Sequence, residues 1–371
     1  MSSADSPSIA IIGSGPSGCY TAQFLRKRFA DSKITIFDRL PMPYGLVRFG
    51  VAPDHAGTKA VTQQFDRLFE RDGVLFVGNT EIGKDRPLAE IRTEFDIVVL
   101  ATGLSADRTL GINGDSLGGI YGSGRLTRLI NAHPDETING IELGNCLVIV
   151  GQGNVAIDLI RLSLTRADEL VKFGVDKEVA TLISSGNLKR VDVVGRSGIE
   201  NAKFDVAMIK ELAKISDVRF TSDALKPSEV DVETQKRIDA IDSLVSGSPA
   251  EASREVNFHF GWAPSEISGN QKVSSIRFTA NNERKDLVLN ADAIFTAIGF
   301  TESEAAAVKL DAHLTEATDL DRGFLDDGLY CVGWLRRGPR GTIPANRADA
   351  KMVSESIIQD FEKKKIKKEQ G

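Results

Sequence analysis

SIAIIGSGPSGCYTAQFLRKRFADSKITIFDR, residues 8–39, decides the fold. It opens on an apolar run without alternation, as a strand in a parallel sheet covered on both faces requires. The run breaks at GSGPSG (13–18), a helical stretch follows, and a second apolar run ends at Asp38. Strand, glycine turn, helix and strand in that order make one unit of a doubly wound α/β domain. In G-x-G-x-x-G the glycines have separate tasks. Gly13 makes the tight turn, Gly15 lets the backbone approach a pyrophosphate, and Gly18 lets the helix pack on the sheet. Pro16 and Ser17 open the helix, whose unpaired N–H groups and dipole suit a phosphate. Asp38, about 20 residues on, stands where an acid takes ribose hydroxyls. Together these residues point to a bound dinucleotide.

The pattern returns at GNCLVIVGQGNVAIDLIRLSL (144–164), where GQGNVA is G-x-G-x-x-A. Gly151, Gln152, Gly153, Asn154 and Val155 form this second phosphate loop. The strand VDVVGR (191–196) ends in Arg196, followed by Ser197, rather than in an acid. An arginine there suits a 2′-phosphate, hence NADP. Each unit is joined by a further apolar strand ending in small residues. EFDIVVLATG (94–103) brings Ala101, Thr102 and Gly103 to the first, and LNADAIFTAIGF (289–300) serves the second. Residues 221–255 are polar, with SGSPAEAS (246–253) as a flexible link. VNFHFGWAPSEI and KVSSIRFTANN then alternate, predicting antiparallel strands. A strand, a glycine-rich turn and a helix occupy 329–350.

The pattern therefore predicts an α/β fold of two Rossmann-like dinucleotide-binding domains. A NAD(P) domain at 105–300 is inserted into a discontinuous FAD domain at 1–104 and 301–371. Two such sites imply one tightly held carrier and one exchanging carrier. FAD and a nicotinamide are the expected pair, because flavin accepts a hydride and passes electrons on singly.

Composition narrows the class. The net charge of −6 disfavours nonspecific nucleic-acid binding. No run reaches the roughly 18 apolar residues of a membrane span. MSSADSPS lacks the basic and apolar regions of a secretory signal. Cys19, Cys146 and Cys331 are far apart with no C-x-x-C, and the four histidines lack ligand spacing. A disulfide framework, a dithiol centre and a metal site are therefore not expected. Such cysteine usage predicts a cytoplasmic protein. The basic FEKKKIKKEQG (361–371) reads as a solvated helix end.

LPMPYGLVRFGVAPDH (40–55) is a greasy, proline-rich stretch where a loop is usually polar. Its prolines fix the path without needing backbone donors, and its apolar side chains are expected to face a cofactor. GSGPSG, FVGNTEIGKD, GQGNVAIDLIR, VGRSG, FDVAMIKEL and VGWLRRGPRGTI accompany it along the chain. On these motifs the chain resembles the adrenodoxin reductase-like ferredoxin–NADP reductases and their bacterial relatives.

The resemblance implies an FAD-dependent enzyme that passes electrons from NADPH to a ferredoxin-type iron–sulfur protein, of the kind that feeds a haem monooxygenase. It implies that Gly13, Gly15, Gly18 and Asp38 hold FAD. Gly45, Leu46 and Val47 lie along it, with Arg48 nearby. Gly333, Trp334, Gly341, Thr342 and Ile343 hold it from the C-terminal side. Gln152, Gly153, Asn154 and Val155 take the NADP pyrophosphate, and Arg196 the 2′-phosphate. His55, Asp158 and Glu211 lie near the nicotinamide and flavin or tune the transfer.

The departures carry expectations of their own. The family's VGRRG is here VGRSG, so NADP is expected to be preferred over NAD less strongly. The family's PDHPEVK is PDHAGTK, and the chain is shorter after Glu211, where partner contacts fall. Arg336, Arg337, Arg340, Lys210 and Lys214 are candidates for a basic rim that steers an acidic ferredoxin, with Lys210 and Lys214 on one helix face. Two other readings stand beside this one: a flavin oxidase or small-substrate reductase, and a low-turnover flavoprotein subunit or redox sensor. Nothing in the sequence sets an oligomeric state.

Overall fold

The computed structural model describes residues 6–184, 186–225, 229–280 and 284–370, with side chains described through residue 364. The chain forms two compact units. One comprises the residues up to Val51, His55–Ala106 and the chain from Phe300 onward. The other comprises Ala52–Asp54 and Asp107–Gly299. Ala52–Asp54, expected with the first unit, thus packs with the second.

The first unit has a six-stranded sheet in the order Phe324–Asp326, Leu329–Cys331, Ile97–Leu100, Ile9–Ile12, Ile34–Phe37, Leu75–Val77. All pairs are parallel except the one at the Phe324–Asp326 edge. Alternate residues feed two cores. Ile9, Ile11, Ile36 and Val99 pack with Leu25, Phe65 and Val353 on one face. Ala10, Ile12, Val98 and Leu100 pack with Leu88 and Ile91 on the other. Burial on both faces explains the runs without alternation. Each fully buried Ile or Leu there contributes roughly 1.5–3 kcal/mol. The chain leaves Ile9–Ile12 for the strand on one side and later fills the position on the other with Ile97–Leu100. The carboxyl ends of these two strands therefore border the crevice where such sheets take ligands.

The second unit repeats the plan in the order Ile120–Gly122, Ala293–Thr296, Cys146–Val150, Arg190–Gly195, Arg254–Phe260, Val218–Ser222, all parallel. Helices, among them Asn154–Leu164 and Lys177–Ile183, cover one face. A three-stranded antiparallel sheet, Trp262–Gly269, Val273–Ala280 and Leu287–Asn290, covers the other. Its Ile267, Ile276 and Phe278 pack on Val148, Val150 and Ile294.

Three expectations change here. VNFHF is a parallel strand of the main sheet, not an antiparallel one. It alternates because Val256, Phe258 and Phe260 enter the core while Asn257 and His259 reach Asp192. The polar 221–255 stretch contains the helix Val232–Gly247, capped by Asp231 accepting from the Thr234 N–H at 2.6 Å. Ile238, Ile241 and Leu244 recur at helical spacing on its buried side, a narrow stripe that the polar composition masks. SGSPAEAS is pinned rather than loose: Ser248 Oγ accepts from the Phe220 N–H, and Asp217 accepts from the Ser253 N–H.

The FDVAMIKEL helix ends at Leu212, so Lys214 lies past it and shares no helix face with Lys210. The last helix, Ile343–Gln370, runs into the basic tail. The side chains of 365–370, residue 371 and residues 1–5 of MSSADSPS lie outside the described residues. No helix among the described residues is long and apolar enough to cross a membrane.

Candidate functional site

In the first unit GSGPSG joins Ile9–Ile12 to the helix Pro16–Arg28. Gly13 has φ +109°, and a Cβ on it would stand 2.4 Å from the Ala101 carbonyl oxygen. A Cβ on Gly18 would stand 2.0 Å from the Gly13 carbonyl oxygen. From Gly15 a Cβ would meet nothing within 4 Å. Two glycines thus close the protein's own packing, and the third leaves room. That room lies at the start of a 13-residue helix with Pro16 leading and no acid in its first turn, a disposition that favours an anion.

Asp38 fixes this turn by accepting from the Ser14 N–H at 2.9 Å, the Ser14 hydroxyl and the Leu40 N–H at 2.9 Å. A carboxylate has about four acceptor sites, so these bonds position Asp38 without saturating it. Ala101 is buried, and Thr102 and Gly103 follow it to the surface. The greasy loop lies directly on the phosphate turn. The Tyr44 N–H donates to the Ser14 carbonyl at 3.0 Å, and a Cβ on Gly45 would stand 3.0 Å from Gly15 Cα. Its apolar character is mostly consumed by the protein itself, since Tyr44, Val47, Phe49 and Ala52 are buried and Leu46 only partly so. Arg48 donates from Nε to the Pro43 carbonyl at 3.0 Å and lies over the Tyr44 ring. His55 begins the short helix Ala56–Lys59.

The C-terminal turn meets the same helix start. Gly333 has φ +78°, its N–H donates to Asp349 at 2.6 Å, and a Cβ on it would collide with Ser17 Oγ. Trp334 stacks on Phe300, with ring centroids 5.6 Å apart. The Trp334 indole N–H is buried and has no hydrogen-bond partner among the described residues. Gly341 and Thr342 are exposed and lead into the helix that begins at Ile343. The unpaired Trp334 indole N–H and the open Gly15 at the start of the helix Pro16–Arg28 fit a flavin dinucleotide.

Arg336 and Arg337 do not form the expected docking rim. Arg336 pairs with Asp349 and donates to the Leu320 carbonyl. Arg337 lies 3.1 Å from Asp349 and donates to Asn346 at 2.8 Å. Their charge is spent on folding this turn, and only Arg340 of the three is exposed.

The second loop divides its labour in the same way. Gly151, at φ +124°, abuts the Ala297 carbonyl oxygen, while a Cβ on Gly153 would meet nothing within 4 Å. This explains why each phosphate loop is accompanied by a strand ending in ATG or AIG: the loop's first glycine packs on the carbonyl just past that strand. Gln152, expected on a pyrophosphate, instead buries its side chain. Its Nε2 donates to the His259 carbonyl at 2.8 Å and the Val193 carbonyl at 3.3 Å. Asn154 Oδ1 accepts from the Asp205 N–H at 2.7 Å, and Val155 packs on the core. Arg196 is exposed at its strand's end.

Two clusters in this unit escaped the sequence reading. Arg161, 8% exposed, gathers Asp54, Asp158 at 2.7 Å and Glu211 at 3.6 Å. Burial works against its charge, but hydrogen bonds to Asp54 and Asp158 outweigh this and raise its pKa. Asp158 and Glu211, expected near the nicotinamide, thus converge on one arginine that sits a helical turn past Asp158.

The second cluster centres on His259, whose Nε2 lies 2.9 Å from Asp192 and Nδ1 3.5 Å from Asp223. Burial alone would lower its pKa; the bonds and charges of the two aspartates raise it from 6.5 to about 9. Because folding raises this pKa, the stability it adds is complete below about pH 6.5 and is lost as pH rises through about 9. His259→Asn should therefore cost about 2–3 kcal/mol at pH 7 in urea melts, with the difference from wild type shrinking near pH 10. A difference independent of pH would show that the imidazole is neutral. Among the described residues, no three His, Cys, Asp or Glu gather as a metal site.

The sequence profile of the pyridine nucleotide-disulphide oxidoreductases matches residues 7–334. The chain is 44% identical to a cindoxin reductase of Citrobacter braakii over 95% of its own length and 78% of that protein's. It is 31% identical to a mitochondrial NADPH:adrenodoxin oxidoreductase of Arabidopsis thaliana, covering 95% and 82%. Among solved structures, Mycobacterium tuberculosis FprA in complex with NADPH superposes with a TM-score of 0.89 at 28% identity, covering 98% of this chain and 86% of that one.

Proposed function

The chain belongs to the pyridine nucleotide-disulphide oxidoreductase family, in its adrenodoxin reductase-like branch, and from that premise we propose how its residues serve the family's chemistry. It is an FAD-dependent NADPH oxidoreductase that delivers electrons to a ferredoxin-type iron–sulfur protein. Bound flavin supplies the chemistry, taking a hydride from NADPH and giving one electron to each of two ferredoxins.

The observation that carries the assignment of sites is the pair of open glycines, Gly15 and Gly153, each at a helix start. In the first unit, residues 13–18 would hold the FAD pyrophosphate and Asp38 the ribose. Leu46, Val47 and Arg48 line the loop above the turn. Trp334, Gly341, Thr342 and Ile343 would close on the flavin, and the unpaired Trp334 N–H would be a donor to it. In the second unit, Gly153, Asn154 and Val155 would hold the NADP pyrophosphate through their backbone, with Gln152 bracing the loop from below. Arg196 and Ser197 would meet the adenosine end. His55, Asp158 and Glu211 act as positioning residues, the last two through Arg161. These roles need no general base, since hydride transfer needs alignment more than proton transfer.

The acceptor is an acidic ferredoxin, steered by exposed cations such as Arg340, Lys210 and Lys214. Delivery from that ferredoxin to a haem monooxygenase is the downstream step this reading favours. Three free cysteines, two of them buried, favour a reducing, cytoplasmic setting. The test is direct: the purified protein should release FAD on denaturation and be bleached by NADPH without oxygen. A protein free of flavin would end the proposal.

A further inference from the structure

Tyr44 stands in a backbone conformation that its side chain disfavours. Its φ is +91°, and Gly45 follows at +48°, so two successive residues lie at positive φ. Asn79, Ala132 and Asp217, the other non-glycine residues at positive φ among those described, lie at +52°, +55° and +58°, in the left-handed helical well. Tyr44 lies outside that well and carries a bulky ring. Such a residue persists only where its surroundings over-determine it.

Its contacts do so. The Tyr44 ring is buried, 6.0 Å from the Phe65 ring and 6.3 Å from the Phe69 ring, with the Arg48 guanidinium 5.3 Å from its centroid. Its hydroxyl donates to Asp66 Oδ1. Burial and the Asp66 carboxylate raise the phenol's pKa, so it stays a donor. Phe65, Asp66 and Phe69 all belong to the helix Val61–Glu70, and Phe65 is fully buried in the core of the first unit. That helix therefore grips the loop twice, by the ring and by the hydroxyl. Ring packing tolerates sliding; a hydrogen bond to a carboxylate is directional and charge-assisted.

The loop is held against the phosphate turn. The Tyr44 N–H donates to the Ser14 carbonyl at 3.0 Å, and a Cβ on Gly45 would stand 3.0 Å from Gly15 Cα. The same Ser14 carbonyl accepts from the buried Cys19 thiol at 3.2 Å. The disfavoured 44–45 turn thus crosses the glycine whose open side leaves room for a pyrophosphate. A loop under strain leaves that place when an anchor is removed, and a site that is closed only part of the time binds more weakly in proportion.

We propose that Tyr44 and Asp66 form a latch that keeps the 44–45 turn on the phosphate loop, and that the latch sets how tightly and how long FAD is retained. Both are positioning residues that act through the backbone of the loop. This rests on reading residues 13–18 as the FAD site.

Release of FAD from the holoprotein, read as the rise in flavin fluorescence on dilution, and its rebinding to the apoprotein test the latch. Tyr44→Phe keeps the ring and loses only the donor. It should release FAD about tenfold faster and bind it about tenfold less tightly, as expected when the closed loop falls to a tenth of the population. Asp66→Ala should do the same, and it decides the matter should Tyr44→Phe not fold. Asp66→Asn keeps an acceptor oxygen and should stay within about threefold of wild type. The melting temperature of the apoprotein and the binding of 2′,5′-ADP by the second unit should hold, since relaxing the turn relieves its strain. Unchanged release in both Tyr44→Phe and Asp66→Ala, or Asp66→Asn as fast as Asp66→Ala, overturns the latch and leaves the FAD site standing. A wild type that holds no FAD overturns the FAD reading, and the latch with it.

Discussion

Gly15→Ala is expected to fold and to be colourless. Gly15 has φ −66°, which alanine adopts freely, and its Cβ would enter open space. The apoprotein should lose only about 0.5–1 kcal/mol for the change at the helix cap. That open space is where a pyrophosphate must approach the backbone, so bound FAD should fall below about a tenth of the wild-type content. Gly18→Ala should behave differently, because its Cβ would overlap a backbone carbonyl oxygen at 2.0 Å and the fold itself must shift. Gly153→Ala should be folded and yellow yet bind NADPH about a hundredfold less tightly. Flavin absorbance, thermal melts and NADPH titration separate the three. Full FAD content in Gly15→Ala would show that the dinucleotide does not lie on this turn.

Arg161→Ala should be the most destabilising single change in the second unit. It leaves Asp54, Asp158 and Glu211 facing one another around a vacated, nearly buried position. Breaking a buried ion pair from one side costs about 3–5 kcal/mol, because the stranded charge remains. For a unit of this size the melting transition should drop by roughly 10 °C. Asp54→Asn in the Arg161→Ala background should recover part of the loss, since the two residues couple directly. A loss under about 1 kcal/mol would mean that the carboxylates are solvated and that Asp158 and Glu211 act independently of Arg161.

Much of this architecture was legible in the sequence because parallel sheets write themselves plainly. Strands buried on both faces, such as Ile9–Ile12 and Cys146–Val150, are unbroken apolar runs, and the glycine loops after them have spacing that geometry demands. Even the ATG and AIG endings carried information, since Gly13 and Gly151 abut them.

What was hidden depended on partners distant in the chain. Nothing near Arg336 announces Asp349, and nothing near Asp54 announces Arg161. The alternation of VNFHF is genuine, but it marks a polar cluster under a parallel strand, not a solvent face. The helix Val232–Gly247 was masked because it buries only a narrow stripe. The inward turn of Gln152 depends on the carbonyl of His259, 107 residues away. The side chains of the phosphate loops thus serve the scaffold more than motif reading implies, leaving the ligand to the backbone.

The central claim is that hydride entry from NADPH and single-electron exit to an iron–sulfur partner occur on one bound flavin. It is tested most directly by reducing the yellow protein with one equivalent of NADPH without oxygen and mixing it with excess oxidised [2Fe–2S] ferredoxin in a stopped-flow cell. The account predicts rapid flavin reoxidation with two ferredoxins reduced per flavin, at a rate that falls as salt rises. Flavin that stays reduced before ferredoxin yet reoxidises at once on admitting oxygen would contradict it, and would make the protein an oxidase.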